Sequence, residues 1–451
     1  MVLGRGKISP FLFALFVNDL EQFLLGLGCN SVEIPGANIQ TFLKLLIILY
    51  ADDTVLFASS EENLQKCLDG LKLYCDKWKL EVNASKTKVV IFRRGNDQTQ
   101  NYRFNIGGSN IEVVNHFKYL GVTFSYNGFF KTNIEDVKAN ANRAIFGLIK
   151  KARKGNLPID IQFDLFDKNV LPILLYGCEV WGYGSFQNSS LKALERLHLK
   201  FCKLVLKLKD STPNIMVYGE AGRFNLEYYA KKRIINFWGN IACGNKNKLA
   251  YIIYSLCRQR YINDPLSSSD WFVNLASLVN RYGIQGDVPN QEAIVKEVIK
   301  RMHLNLKNEY ITDWLFKVNN TDKCEVLYKH IKSNFETEYY LSNLPNVLRL
   351  ALSRIRTCNH KLPIEAGRFG VDSTARQNRI CNKCDSGNVG DEFHFILTCK
   401  NPRLVELRDK YISPYYSMYP TMQKLAELFN NQGRKLFKLG MYVSEGLKLY
   451  C

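Results

Sequence analysis

Two adjacent carboxylates, Asp52 and Asp53, separate two strongly apolar runs, residues 46–50 and 54–57. Both runs are more apolar than a surface hairpin requires, so the pair is predicted to lie in a turn between two buried strands. Buried carboxylates are costly unless a cation lies against them, and their oxygens suit Mg²⁺. Two such ions could activate a 3′-hydroxyl group and neutralise a leaving pyrophosphate. The alternative is an ordinary acidic turn in solvent.

A second set of potential metal ligands lies near the end of the chain, in the pattern C-x2-C-x9-H-x4-C. Three thiolates and one imidazole satisfy tetrahedral Zn²⁺ and leave no open position, so the predicted site is structural. A single cysteine here would more simply be a small buried hydrophobic residue. Cys358 and His360 lie nearby and could replace a ligand. The four predicted ligands are Cys381, Cys384, His394 and Cys399.

A predicted helix from Ser190 to Leu208 carries five cations that step by four, four, three and four residues, and therefore share one face. Glu195 is the only acidic residue near them, whereas surface helices more often mix charges. We expect this basic stripe to contact a phosphate backbone, although a solvated basic face would account for the same spacing. The five are Lys192, Arg196, Lys200, Lys203 and Lys207.

The overall charge points to the same kind of partner. The 451 residues include 61 Lys and Arg against 42 Asp and Glu, a formal net charge of +19. Such an excess favours a polyanion, although a basic protein without one is also compatible with it. A dense group of cations around the Cys/His set suggests RNA or DNA contact there, with ordinary solubility as the alternative. This group is Arg354, Arg356, Lys361, Arg368, Arg376, Arg379 and Lys383.

The predicted elements that position these residues include both helices and strands, so the expected fold class is α+β. Pro10–Leu27 is predicted to be one helix with Ser9 as its N-cap. Glu61–Trp78 is predicted to be a second helix, because apolar residues recur at three- and four-residue steps. Beyond Gly128 the sequence is mostly helical. The predicted strands are Leu43–Tyr50, Thr54–Ala58, Lys88–Phe92, Tyr102–Ile106, Ile111–Val114 and Tyr119–Phe124.

No part of the sequence predicts a membrane span. The two most apolar stretches, residues 11–27 and 43–57, both contain acidic residues and fall short of ~18 uncharged apolar positions. The 13 cysteines show no disulfide-like spacing, and there is no signal peptide. We therefore expect an intracellular protein, in the nucleus or the cytoplasm.

The sequence Tyr50-Ala51-Asp52-Asp53, flanked by apolar strands, resembles motif C of reverse transcriptases. Other motifs follow in family order over about the first 125 residues. Ser9-Pro10 through Leu20 resembles the end of motif B and its helix, and Leu80–Lys88 resembles the motif D region. Phe117–Val122 resembles the primer-contacting hairpin of the enzymes of non-LTR retrotransposons. The Cys/His pattern also resembles the C-terminal element of those enzymes.

The resemblance implies RNA-templated DNA synthesis from a DNA primer at a target site, with Mg²⁺ as cofactor. It implies that Asp52 binds the metal ions and that Asp53 supports it. Lys86 would protonate or stabilise pyrophosphate, unless it is simply a solvated loop lysine. Residues expected to contact nucleic acid near the primer terminus are Tyr50, Tyr119 and Gly121.

The family also needs a third carboxylate upstream of motif C, and this chain offers only Asp19, Glu21 and Glu33 there. The first two lie on the predicted helix and the third in predicted loop. We therefore expect a fragment that lacks the fingers and does not polymerise DNA alone. A non-catalytic nucleic-acid-binding protein and a pseudogene product are the alternatives. The implied organisation is a partial palm (1–126), a helical thumb (127–210), a helical connector (211–370) and a zinc-binding region (371–451).

Overall fold

The computed structural model describes residues 9–35, 42–93, 102–182, 189–320, 327–368 and 374–450. The fold mixes α and β structure, with 62% of it helical and the strands in small sheets. The coarse class expected from the sequence is therefore confirmed. None of the helices in the described ranges is long and apolar enough to span a membrane.

The helices in the described ranges are α1 (Ser9–Phe16), α2 (Leu20–Gly26), α3 (Glu61–Trp78), α4 (Lys131–Lys154), α5 (Ile159–Asn169), α6 (Leu171–Leu174), α7 (Cys178–Trp181), α8 (Ser189–Leu206), α9 (Asn214–Ala221), α10 (Leu226–Ala242), α11 (Leu249–Asn263), α12 (Asp270–Tyr282), α13 (Glu292–Asn320), α14 (Tyr328–Ile331), α15 (Tyr339–Asn343), α16 (Asn346–Arg356), α17 (Pro363–Ala366), α18 (Pro402–Tyr411), α19 (Pro414–Ser417), α20 (Met422–Asn430) and α21 (Gly433–Gly446). The strands are β1 (Val32–Pro35), β2 (Phe42–Leu45), β3 (Ile47–Tyr50), β4 (Asp53–Leu56), β5 (Lys88–Val89), β6 (Phe104–Ile106), β7 (Ser109–Val113), β8 (His116–Tyr119) and β9 (Val122–Ser125).

The chain folds into two compact units, and each unit is built from two separate segments. The first unit contains residues 1–136 and 236–298, and the second contains residues 137–235 and 299–451. The chain therefore enters each unit twice. The four functional regions expected from the sequence remain a prediction.

The core of the first unit lies where α2 and α3 meet the β3–β4 hairpin. Leu24, Leu46 and Cys67 are fully buried there, and half-buried strand residues pack against them. Helix α3 has the bounds that its apolar spacing predicts. Its N-cap Ser60 accepts a hydrogen bond from the Asn63 amide (3.2 Å), and Lys79 ends it in the left-handed conformation.

The single helix predicted for residues 10–27 is wrong, because the structure has two helices there. The break lies at Val17–Asp19, which forms a turn between α1 and α2. Asn18 and Asp19 are residue types whose side chains compete with the helical backbone for hydrogen bonds. The Tyr74 hydroxyl donates to the Asp19 carboxylate, which holds the turn against α3.

Two predicted strands are also wrong in their extent. The run at residues 43–50 divides at Leu46, so that β2 pairs with β1 and β3 pairs with β4. The predicted strand at residues 119–124 contains the turn between β8 and β9, with Leu120 and Gly121 at φ 46° and 83°, and only its residues 122–124 lie on β9. Two left-handed residues match the twist of a hairpin. Glu33, expected in a loop, lies on β1.

A buried ion-pair cluster holds the second unit together. Arg356 and Glu220 are almost fully buried, and the guanidinium donates two hydrogen bonds of 2.9 and 3.0 Å to the carboxylate. The Tyr340 hydroxyl donates a third to Glu220 (2.6 Å), and Glu338 lies 2.9 Å from Arg356. Burial alone would raise the pKa of Glu220, but the adjacent Arg356 charge outweighs it and lowers that pKa. The expectation that Arg356 contacts nucleic acid is therefore wrong.

Candidate active site and metal centre

The predicted acidic turn forms the tip of the β3–β4 hairpin. Tyr50 lies directly opposite Asp53 in the antiparallel pair, and Ala51 opens the turn at φ 51°. Both Asp52 and Asp53 are exposed, and Tyr50 is 61% exposed. The prediction of two buried strands is therefore only partly right. In the part of the chain that the structure describes, β3 and β4 form a two-stranded sheet, and most of their residues are half-buried rather than buried. The tip projects both carboxylates to where ligands could reach them.

A second hairpin brings Tyr119 close to the acidic tip. The Tyr119 pKa is raised first by burial and then by the negative charge of Asp53, with a smaller effect of Tyr50. The Tyr119 hydroxyl is buried, and no other described residue provides it with a hydrogen-bond partner. Gly121 is exposed in the turn that follows. Residues far apart in sequence, 53 and 119, are thus neighbours in the fold.

Lys86 lies in a turn that Asn83 organises. The Lys86 amide donates to the Asn83 side chain (3.1 Å), and the Thr87 hydroxyl donates to the Asn83 carbonyl (3.0 Å). The Lys86 side chain is exposed. No contact in the described residues joins it to either Asp52 or Asp53.

Two of the three carboxylates upstream of the hairpin have other partners, and the third, Glu21, is exposed on α2. Asp19 accepts the Tyr74 hydroxyl, and Glu33 lies 4.0 Å from Lys44 across the β1–β2 pair. In the part of the chain that the structure describes, only one group of three or more His, Cys, Asp or Glu side chains has its ligand atoms within 4.8 Å of one another. That group does not include Asp52 or Asp53, so the hairpin presents a two-carboxylate site.

Among the described residues, the group whose ligand atoms lie this close together is the predicted Cys/His set. Its members are Cys381, Cys384, His394 and Cys399. The sulfurs of Cys381 and Cys399 are 3.9 Å apart, and the Cys384 sulfur is 3.4 Å from His394 Nε2. Ligands at the corners of a tetrahedral Zn²⁺ site are separated by about 3.6–3.8 Å. The donor set and its spacing therefore fit a zinc ion.

Short local elements bring these ligands together. An isolated bridge between Ile380 and Val389 closes a hairpin around the first two cysteines. A single π-helical turn from His394 to Thr398 carries the histidine. His394 Nδ1 lies 2.9 Å from the Thr398 hydroxyl, and a proton donated there leaves the Nε2 lone pair free for a metal. Thr398 was missed in the sequence, although its position four residues after a helical histidine is a signal.

Hydrogen bonds from neighbouring residues also affect the ligands of the Cys/His group. Burial opposes ionisation of Cys384, but hydrogen bonds from Ser386 and from backbone amides lower its pKa to about 6, which favours the thiolate. The buried Arg408 donates to the carbonyls of Ile396 and Cys399, both at 2.9 Å. Arg408 was not singled out in the sequence, and its spacing alone carries no signal for this role.

The alternative ligands have other partners. His360 Nε2 lies 2.9 Å from the Glu392 carboxylate, and the Cys358 sulfur lies 3.7 Å from the same oxygen. The Leu362 amide donates to His360 Nδ1. Both ring nitrogens of His360 are thereby occupied, and neither residue belongs to the Cys/His group.

The basic stripe of α8 is shorter than predicted. Lys192, Arg196 and Lys200 are exposed on the helix, as expected. Lys203 is buried and donates to the Asp210 carbonyl (2.6 Å), and burial lowers its pKa, so its prediction as a surface contact is wrong. Lys207 is exposed but lies beyond the end of α8 at φ 55°, where helical spacing no longer applies.

Glu195 does not neutralise the stripe, because its carboxylate faces the core. It accepts the Leu226 amide at 2.6 Å, and it lies 3.1 Å from His198 Nδ1. The Tyr218 hydroxyl also donates to it. Glu195 therefore forms no ion pair with the exposed Lys192, Arg196 and Lys200.

Comparison with known proteins identifies related sequences. Residues 6–124 match the family model for reverse transcriptase (RNA-dependent DNA polymerase). The chain is 29% identical over 169 residues to an uncharacterized transposon-derived protein of Caenorhabditis elegans, a match over 38% of this chain and 58% of that protein. It is 27% identical over 192 residues to a probable RNA-directed DNA polymerase from transposon BS of Drosophila melanogaster (40% and 20%). It is also 27% identical over 179 residues to the retrovirus-related Pol polyprotein from type-1 retrotransposable element R2 of Popillia japonica (38% and 27%).

These matches span less than two thirds of each relative, and they confirm the resemblance that the motif order predicted. The hairpin with Asp52 and Asp53, the neighbouring turn and the upstream helices all fall within the matched segment. Residues 6–124 are thus reverse transcriptase sequence, of the kind found in non-LTR retrotransposons.

Proposed function

We propose that the chain supplies the metal-holding turn and the primer-contacting hairpin of a non-LTR reverse transcriptase. The family reaction is Mg²⁺-dependent DNA synthesis on an RNA template from a DNA primer. The observation that carries the proposal is the exposed Asp52 and Asp53 pair at the tip of the β3–β4 hairpin, inside the segment that matches the reverse transcriptase family model. In this proposal the first 126 residues form a partial palm, helices over 127–210 a thumb, helices over 211–370 a connector, and residues 371–451 a zinc-binding end.

Each residue of the site has a definite part in this proposal. Mg²⁺ ions, when bound, would lower the charge on the reacting phosphates. Asp52 would hold them at the exposed tip, with Asp53 in support. Tyr119, on the neighbouring hairpin, would lie near the primer terminus. Gly121, without a side chain, lets the nucleic-acid backbone approach the turn closely.

Binding without synthesis is the expected behaviour of residues 1–451. Two carboxylates leave a metal pair with too few ligands, so charge in the transition state stays unneutralised. Primer extension on an RNA template with deoxynucleotides and Mg²⁺ should give no product above background. The matched control is Asp52→Asn, which should be indistinguishable. Robust synthesis by the unaltered chain that Asp52→Asn abolishes would contradict this expectation.

The second candidate function follows from the same ligand shortage. A non-catalytic nucleic-acid-binding protein of retroelement origin needs the basic surface but not the metal pair. An absence of extension together with tight RNA or DNA binding favours this candidate. The nuclear or cytoplasmic location stays a prediction.

The stripe on α8 should contribute to binding through counterion release. Lys192→Ala with Lys200→Ala should reduce the slope of log affinity against log salt by about two, at about 0.9 per lost phosphate contact on duplex DNA. Lys317→Ala is the matched control, because Lys317 is an exposed helical lysine already paired with Asp313 at 2.5 Å. Fluorescence anisotropy across a salt series measures the slope. An unchanged slope would leave the stripe as a solvated face.

A further inference from the structure

The segment around α19 exposes three large side chains within five residues. Tyr415 is 53% exposed, Met418 is 61% exposed and Tyr419 is 85% exposed. Isolated exposed apolar residues are ordinary on protein surfaces, whereas a group of them is a candidate binding surface. This group, named here the aromatic platform, lies outside the Cys/His ligands and outside α8.

The platform is held on a fixed backbone. Lys424 Nζ donates to the carbonyls of Tyr415 (2.8 Å) and Met418 (2.6 Å). The buried Tyr416 between them accepts a hydrogen bond from Asn431 (2.9 Å) and lies 3.3 Å from the Glu427 carboxylate. These contacts secure the segment from both sides, so the exposed rings are presented in a preorganised arrangement.

Tyr419 occupies an unfavourable backbone conformation. Its φ is 49°, in the left-handed region where the Cβ of an L-residue comes too close to the following carbonyl oxygen. Such outliers persist where the surroundings enforce them, and they cluster at functional positions. Here the strained residue is also the most exposed aromatic ring of the platform.

The surroundings of the platform are basic. Residues 411–440 contain four basic side chains and one acidic side chain, Glu427. Lys424 Nζ lies 4.5 Å from the centre of the Tyr415 ring. Asn431, which donates to Tyr416 in the same segment, lies two residues before α21, and the first turn of α21 carries the exposed Arg434 and Lys435. Exposed rings with adjacent cations match the two chemical parts of a nucleotide, the base and the phosphate.

We propose that the aromatic platform binds single-stranded nucleic acid, with bases stacked on Tyr415 and Tyr419 and phosphates beside Lys424 and Arg434. Stacking needs an open base face, which a duplex hides, so the platform selects unpaired strands. Stacking does not read base identity, so the selectivity is for strand form rather than for sequence. This inference rests on the proposed function only in that the chain handles nucleic acid.

The test compares affinities of the full chain for a labelled oligo(U), oligo(dT) and a blunt duplex of equal length. Tyr419→Ala and Tyr415→Ala should each weaken single-strand binding by about five- to 150-fold, with the duplex affinity unchanged. Tyr419→Phe should retain the affinity, because the ring remains. Phe316→Ala, which removes a 64% exposed ring on α13, is the matched control and should have no effect. Comparison of the affinities for oligo(U) and oligo(dT) shows whether the platform prefers RNA or DNA.

The outcomes separate this inference from the proposed function. If the double variant with Tyr415→Ala and Tyr419→Ala binds single strands as tightly as the unaltered chain, the proposal for the aromatic platform is wrong. The proposed function is not affected by that result. Equal weakening for single strands and duplex also overturns the platform, because stacking then plays no part. If the unaltered chain binds none of the three probes, both proposals fail. A changed oligomeric state in the tyrosine variants, seen by light scattering, overturns the platform in favour of a protein contact.

Discussion

Replacement of Cys399 by serine is expected to remove bound Zn²⁺ and to unfold the region around residues 380–400. The Cys399 sulfur is fully buried and lies 3.9 Å from that of Cys381. Without the metal, the loop over residues 382–389, in which no side chain is buried, loses its main tie to His394 and Cys399. Structural zinc contributes about 10–16 kcal/mol in zinc-finger peptides at neutral pH, which exceeds the stability of a small module. Metal analysis should give about one zinc per unaltered chain and almost none in the variant.

A control and a pH series sharpen this prediction. Cys358→Ser should keep its zinc, because that sulfur contacts Glu392 instead. Acid should release the ion, because falling pH protonates the thiolates and the imidazole that bind it. Hydrogen exchange should show faster exchange at residues 380–400 on chelation. Full zinc content in Cys399→Ser, or its loss in Cys358→Ser, would show that the ligand set is wrong.

Glu220→Ala is expected to destabilise the second unit by about 3–5 kcal/mol, because it leaves the buried Arg356 charge undercompensated. Glu338 is the only other carboxylate within 4.0 Å of that guanidinium among the described residues. Urea unfolding followed by circular dichroism measures the loss. Glu220→Gln should cost less, since its amide oxygen can still accept a hydrogen bond from Arg356.

The same pair should make stability depend on pH. The Glu220 pKa is lowered in the fold from its ordinary 4.5, so its stabilisation is complete above that value. It is lost as the pH falls through the lowered value. Asp313→Ala is the control, because its ion pair with Lys317 is about half exposed and should be worth under about 1 kcal/mol. A Glu220→Ala variant as stable as this control would refute a structural role for the cluster.

The features that the sequence predicted correctly are those that depend on residues close together in the chain. Helix α3 has the predicted bounds because its apolar face, its Ser60 cap and its left-handed end agree with one another. The Cys/His ligands were predicted because metal geometry fixes their spacing. Motif order identified the segment that the reverse transcriptase family matches.

Burial by distant residues could not be predicted in the same way. Helical periodicity shows that Lys203 shares a face with Lys200, but not that the chain near Asp210 covers one and leaves the other exposed. The partner of Arg356 is 136 residues away, so no local pattern reveals it. The approach of Tyr119 to Asp53 likewise depends on how two hairpins pack in three dimensions.

The two-segment construction of the first unit has a consequence for biosynthesis. Residues 1–136 are synthesised before residues 236–298, so the unit is complete only when residue 298 has followed. At ordinary translation rates the delay is roughly ten to thirty seconds. During that time only the first of the two segments of the unit is available, so we expect chaperones to engage the incomplete unit.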